Sequence, residues 1–595
     1  MSVIYLHRQN RRTLLMKKIK KIFISALALI LALCLAACDP LDTVYGSIFD
    51  LIFEDILGWE KQTASDDDVS DEASYSYEKP EYTGYDEETI KELCGELSDL
   101  ADDGTLDEIC ECFDLIVSEF DILYDQEILA YLEYCNDAAN EELYDDYNEL
   151  YLMIIEYADE AYMAMKEILA GPCGEEFAEY IGEDMVLELE DYEELTDQEL
   201  EWADQENELI AEYNAAYEEF EASGSSDYSE LNETAGPIYV ELVALRTEMA
   251  QYYGYENYAE YADAEIYDRD YSTEEAEILH SAVKEISEEY FSMLYGSYAY
   301  FGLYYYGEAF TADELIDTAY TYGAEISSYI TETLDIMIEN DMFDIAEDDA
   351  RINTSFSTVF SSGAPVLFIN MDGWSDFQTM THELGHCVNS YLTADRGGML
   401  ISDGSGCYDI LEIHSNGLEA LYTDCYDDIF GSLSDYAYSF TLMELMVNVT
   451  DGAIYDEFQR EVYENPDMTL DQINSLFEEI QTEYGNPYAN EYSWVAVPHN
   501  FESPMYYISY STSALAALQI WALSLENYNE AVSIWEEIVS TDAAAIGYLE
   551  LLEDTGLGSF VDEGTAEQIC MQALETAYSL SMQSYFNSGS GIFGP

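Results

Sequence analysis

From about residue 89 to residue 350 the chain reads almost without interruption as amphipathic helix. Leu, Ile, Tyr and Ala recur at steps of three and four among Glu and Asp, as in Leu93, Leu97 and Leu100 or Leu123, Ile128, Leu129 and Leu132, and proline is nearly absent. So long a stretch of helical period with so few breakers commits the body of the molecule to helix. The 55 tyrosines give such a body core bulk with a polar tip that can reach water or a carboxylate. No repeat of fixed period accompanies the pattern.

The pattern breaks at "APVLFINMDG", residues 364–373, a dense apolar run with Val366, Phe368 and Ile369, entered after Gly363 and Pro365 and left through Asp372-Gly373. It reads as a strand and a turn. Ser375 or Asp376 then caps a helix whose apolar stripe is Phe377, Met380, Leu384, Val388 and Tyr391. That helix carries "HELGH", residues 382–386, and so two of the six histidines in the chain. Four residues apart on a helix, His382 and His386 project from one face and reach one ion, with Glu383 beside them over a water on that ion. With His at about 1% and Glu at about 10%, chance would produce this pattern in only about 0.01 of such chains. Zinc suits the pair, since it takes neutral imidazole and lowers the pKa of its water to about 7.

A catalytic zinc needs a third protein ligand and an open position. Asn389 and Leu392 stand where a metzincin has Gly and His, which excludes that class. A carboxylate from a following helix is the alternative, and "DILEIHSNGLEALYTD", residues 409–424, offers Glu412 and Glu419. Glu412, Ser415 and Glu419 share one helix face, whereas His414, two positions from Glu412, points elsewhere.

"EIHSNGLE", residues 412–419, begins 26 positions beyond His386 and resembles the ExxSxxxE segment of the thimet oligopeptidase and oligoendopeptidase F family. The resemblance extends to "LRTEMAQYYGYENYAEYADAEIYDRDY" (245–271), "SSGAPVLFIN" (361–370) and "VPHNFESPMYYISYSTSALAA" (497–517), in the family's order. It implies a mainly α, two-lobed zincin-type peptidase with a deep central channel and a small β-sheet beside the zinc helix. It also implies one Zn2+ per chain on His382, His386 and Glu412, with Glu419 orienting a liganding histidine and Glu383 as general base. His499 matches the family's oxyanion-stabilising histidine. Tyr507 and Tyr510 are the candidates for its tyrosine partners. Tyr506, with Gly363 and Ala364 at the entry to the strand, is a candidate substrate contact, and the strand edge would pair with an extended peptide. The substrates implied are oligopeptides. Asn389 departs from the family's HExGHxxH pattern, which bears on substrate fit and not on metal. Two alternatives stay open: a tethered peptide-binding lipoprotein without catalysis, and a helical carboxypeptidase-type gluzincin.

Charge governs the remaining expectations. Lys plus Arg number 17 against 127 Asp plus Glu, and seven of the basic residues lie at positions 8–21. The acidic balance excludes nucleic acid as a partner, since phosphate binding rests on Lys and Arg. It would attract basic peptides over about 10 Å at 0.1 M salt, and serves solubility equally. After the basic cluster, "IFISALALILALCLAA" (22–37) is uncharged and shorter than the roughly 20 residues that span a bilayer, so it reads as a signal-peptide core. It ends at "LAAC", which resembles a bacterial lipoprotein box acylated at Cys38. The expected organisation is a signal peptide over 1–37, a lipid-anchored tether and acidic linker over 38–88, an N-terminal helical region over 89–230 and a catalytic region over 231–595. The expected form is an extracytoplasmic monomer whose membrane contact is the lipid on Cys38 alone. The nine cysteines left after Cys34 and Cys38 show no CxxC and imply no zinc ribbon or disulfide scaffold.

Overall fold

The computed structural model describes residues 77–587 apart from 138–139, 183–184, 187–188, 190–195, 296–302, 304–306, 308, 349, 353, 372 and 394–406. The expected signal peptide, Cys38 and most of the acidic linker lie outside the described residues.

Helices dominate. The first group is α1 (Glu87–Asp103), α2 (Leu106–Asn136), α3 (Glu141–Ala170), α4 (Gly174–Ile181) and α5 (Asp197–Ser223). Local chemistry sets their starts: Asp86 accepts from the Glu88 N–H to cap α1, and Thr105 and Glu108 cap each other's backbone at the start of α2. The apolar stripes of α1 to α4 close on one another, with Ile90, Leu97, Ile109, Phe113, Ile116, Tyr157, Met165 and Phe177 forming one core.

A second and larger core draws on the rest of the chain. Its helices are α6 (Tyr228–Tyr252), α7 (Thr273–Leu294), α8 (Ala312–Ile326), α9 (Ser328–Glu339), α10 (Asp376–Thr393), α11 (Tyr408–Tyr422), α12 (Ser434–Glu464), α13 (Leu470–Glu483), α14 (Ile508–Val539), α15 (Tyr548–Thr555) and α16 (Thr565–Asn587). Among the described residues α14 alone is long and apolar enough to cross a membrane, but 72% of its apolar window is buried inside the protein, so it is a core helix.

The sheet has three strands, β1 (Phe343–Ala346), β2 (Phe356–Val359) and β3 (Pro365–Asn370), in the order β1-β3-β2. β1 runs parallel to β3 and β2 antiparallel to it. Arg351 fastens the sheet from one side: its guanidinium donates to Asp344 Oδ1 at 2.9 Å and to the Ile369 carbonyl at 3.2 Å, over the face of Phe368.

Two sequence expectations change here. The helical pattern ends at Glu339, because Phe343–Ala346 is already strand. And β3 has no edge to offer a substrate, since it is hydrogen-bonded to a strand on each side. Gly363 and Ala364, the candidate substrate contacts, lie in the β2–β3 turn. Gly363 takes φ +79°, a conformation favouring glycine, and the Ala364 carbonyl accepts the Phe360 N–H at 3.0 Å. The adjacent Ser361 donates its N–H and Oγ to Asp125 of α2, at 2.8 and 3.0 Å, which ties the turn to the N-terminal helices. The outer edge of the sheet on the α10 side belongs to β2.

α10 and α11 meet more closely than side chains normally permit. A Cβ on Gly385 would lie 2.4 Å from the His414 carbonyl oxygen and 2.6 Å from Ser415 Cα, so the glycine inside "HELGH" is required by the approach of the α11 backbone. α11 is buried along its length except at Leu411.

Candidate metal centre

The α10–α11 contact brings the three expected ligands together. His382 Nε2 is 3.5 Å and His386 Nε2 3.7 Å from the same oxygen, Oε2 of Glu412, and one ligand atom from each of the three residues lies within 4.8 Å of the others. The imidazole edges remain reachable from outside, at 26% and 22% side-chain exposure, whereas Glu412 is buried. His382 Nδ1 is 2.7 Å from Glu419 Oε1, which fixes the tautomer and leaves Nε2 as the ligand atom.

Electrostatics of the site favour a cation. Burial opposes charging of His382, but its hydrogen bond to Glu419 and the carboxylates of Glu419, Glu412 and Glu383 outweigh that and raise it to about 10. Burial holds His386 down at about 4, against the pull of Glu412. The site therefore collects one proton on one imidazole and keeps the other neutral, and a divalent ion can replace that proton. Two imidazoles and a carboxylate are a donor set that such an ion accepts, so the residues fit a metal.

Glu383 is buried beside the ligands. Burial raises its carboxyl to about 7 and Glu412 and Glu419 add to the rise, while His382 and a hydrogen bond from the Ser357 N–H of β2 oppose it. A group of that pKa exchanges a proton readily near neutrality. Ser357 went unnoticed in the sequence, where a four-residue strand carries no pattern of its own.

His499 and the tyrosines after it gather into one cluster that reaches Glu412 through Tyr506. The His499 ring is 5.3 Å from Tyr507, 5.6 Å from Tyr506 and 6.1 Å from Tyr510, centroid to centroid. Burial lowers His499 to about 4, against Glu502 and Glu412, so it is neutral and carries an N–H. Tyr506 is placed differently from its neighbours: its hydroxyl donates to Glu412 Oε1 at 2.8 Å. That bond holds the side of the Glu412 carboxylate away from the two imidazoles. His414 is buried and held at about 3 by desolvation and by His386. Asn389, at the position that departs from the family pattern, donates Nδ2–H to the Val539 carbonyl at 2.9 Å and pins α10 to the end of α14.

A buried network packs against α11, built on Arg269 and Tyr271 at the end of the quoted 245–271 segment. Arg269 donates to Asp263 at 2.7 Å and to Ser509 Oγ at 2.9 Å and lies 3.5 Å from Asp409, one helical turn before Glu412. Tyr271 donates to the other Asp409 oxygen at 2.6 Å. Arg460 of α12 joins through Asp263 at 2.6 Å. The network locks α11 to α12 and α14, the helices around the site.

No family model matches the chain, and no curated protein matches it. Solved structures do. One provisionally named oligoendopeptidase F shares 20% identity over 85% of this chain and 99% of its own, with a TM-score of 0.66. Another, from Bacillus anthracis str. Ames, shares 22% identity over 85% and 98%, with a TM-score of 0.65. PZ peptidase A, solved with an inhibitor, shares 19% identity over 85% and 99%, with a TM-score of 0.65. The chain therefore has the mainly helical fold of these oligoendopeptidase and PZ peptidase structures, with the small sheet set beside the helix that carries HELGH.

Proposed function

We propose that the protein is a zinc endopeptidase that hydrolyses short, unstructured peptides outside the cytoplasmic membrane, anchored by a lipid on Cys38. The convergence of His382 Nε2, His386 Nε2 and Glu412 Oε2, with Glu383 buried beside them, carries the reading. The fold shared with named peptidases supports it. The basic cluster, the apolar run and "LAAC" support the anchor.

Held by these three residues, zinc would act as a Lewis acid toward the scissile carbonyl and the attacking water. Glu383, buried beside the ligands, takes the proton that the water loses as its oxygen bonds to the carbonyl carbon. It then delivers that proton to the amide nitrogen as the C–N bond breaks, and the products are a carboxylate and an amine. His499 donates its N–H to the developing oxyanion, assisted by Tyr507 or Tyr510; a donor of this kind is worth about 10² to 10³ in rate. An extended peptide pairs with the outer edge of β2, whose Ser357 N–H already holds Glu383, so the scissile bond is registered against the base by the same strand.

Glu383→Gln should retain zinc and lose peptide hydrolysis, read by mass spectrometry of a mixed peptide pool with and without a chelator. Cleavage by the variant at the parent rate would remove Glu383 as the base. Products trimmed only from the C-terminus would make the enzyme a carboxypeptidase.

A further inference from the structure

Glu412 has two oxygens, and the structure gives them different partners. Oε2 faces the imidazoles, 3.5 Å from His382 Nε2 and 3.7 Å from His386 Nε2, and accepts from Ser415 Oγ at 3.1 Å. Oε1 points the other way and accepts the Tyr506 hydroxyl at 2.8 Å. We propose that Tyr506 is a metal-positioning residue: by holding Oε1 it makes Glu412 a one-oxygen ligand and keeps a coordination position free.

A carboxylate released on one side can swing until both oxygens face an ion. The second oxygen would then occupy the position that a catalytic ion must leave for water or substrate. A phenol bonded to Oε1 opposes this swing directly. Tyr506 is well built for the task. It is 1% exposed, so water does not compete for its hydrogen bond. Its ring is wedged among those of Tyr510 at 5.0 Å, His499 at 5.6 Å, Tyr408 at 5.7 Å and Tyr267 at 6.0 Å. The backbone before it is also fixed: Met505 takes φ +72°, a left-handed conformation that a side chain disfavours, and its N–H is held by the Gln459 side chain. Tyr267, whose ring backs Tyr506, donates to the Pro504 carbonyl at 2.9 Å and fixes the same turn from the opposite side. The segment 503–507 is thus constrained at several points, with the Tyr506 hydroxyl delivered to one carboxylate oxygen.

This inference rests on the metal-site reading and is separable from the peptidase reading. Tyr506→Phe removes the hydroxyl and keeps the ring. Zinc affinity, measured by competition with a chromophoric chelator, should weaken about 10- to 100-fold, the usual effect of losing a partner of a metal ligand. The cobalt(II)-substituted protein gives a readout that loss of packing alone would not produce. If Glu412 turns to present both oxygens, the visible ligand-field bands should weaken and shift as the coordination number rises. The melting temperature of the metal-free variant should fall only slightly, because the ring still fills its cage and a single buried hydrogen bond is lost. Zinc affinity within twofold of the parent together with an unchanged cobalt spectrum would overturn the assignment. A parent that takes up neither zinc nor cobalt overturns the site and this inference with it. A parent that binds both metals but cleaves no peptide overturns the peptidase reading alone, and the shift in Tyr506→Phe then still supports the positioning role.

Discussion

At the scale of single residues, the site rests on partners that hold other side chains in place. Glu419 touches His382 and no other group of the metal triad, so Glu419→Ala should leave the ligand set intact while freeing the His382 ring. Zinc affinity should fall about 10- to 100-fold in a chelator competition, with the fold unchanged by circular dichroism. Glu127 of α2 makes a second residue-level case. It is fully buried, neither carboxylate oxygen has a partner, and burial raises it to about 8. Unfolded, it would titrate at about 4.3. Between those values the folded state keeps a proton that the unfolded state has lost, so its contribution to stability declines as pH rises from about 4 to about 8 and then levels. Glu127→Gln should remove that slope and raise stability at pH 8 by an amount on the order of a few kcal/mol, measured by urea unfolding at pH 5 and pH 8. A variant curve parallel to the parent's would contradict the assignment. Not every residue role was legible beforehand. His382, His386 and Glu383 announce themselves because histidine is rare here and the spacing is chemical. Tyr506 was set apart as a substrate contact, and nothing in the sequence marked it as the tyrosine whose hydroxyl reaches Glu412, because tyrosine is common throughout.

Elements bring distant parts of the sequence into register, and their closest approach is the most sensitive point. The Cβ of Gly385→Ala would strike the backbone of α11 and not a flexible side-chain tip. Overpacking of this kind typically costs about 1–3 kcal/mol. Because α11 carries Glu412, zinc affinity should fall in the same variant, and thermal melts with and without metal would show both losses. Helices were readable from the sequence because their period repeats over many turns. Strands of four residues such as β1 and β2 carry no such repetition, and β1 was absorbed into the helical pattern. Sheet order was also hidden, since β3 is the most apolar strand yet sits between two partners. With β3 paired on both sides, the free edge beside α10 is that of β2, whose Ser357 N–H reaches Glu383.

Seen whole, the molecule should not need its metal in order to fold. The larger core runs from α2 to α16 and is independent of the three ligands. Chelation should therefore abolish peptide hydrolysis while leaving the helical circular dichroism signal in place, and added zinc should restore activity. The melting temperature should fall on stripping by the amount that mass action assigns to zinc binding. Loss of the helical signal on chelation would contradict this. The charge layout has a consequence for how the site acquires its ion. Arg246, Arg269, Arg351 and Arg460 are all buried, so among the described residues they do little to offset the acidic side chains outside. A surface of that kind holds a diffuse cloud of counterions, in which divalent species are enriched relative to monovalent ones. The cloud gathers calcium, magnesium and zinc without distinction. Imidazole nitrogen is a poor ligand for the first two, so on the proposed zinc reading the surface would supply concentration and the histidine pair selection.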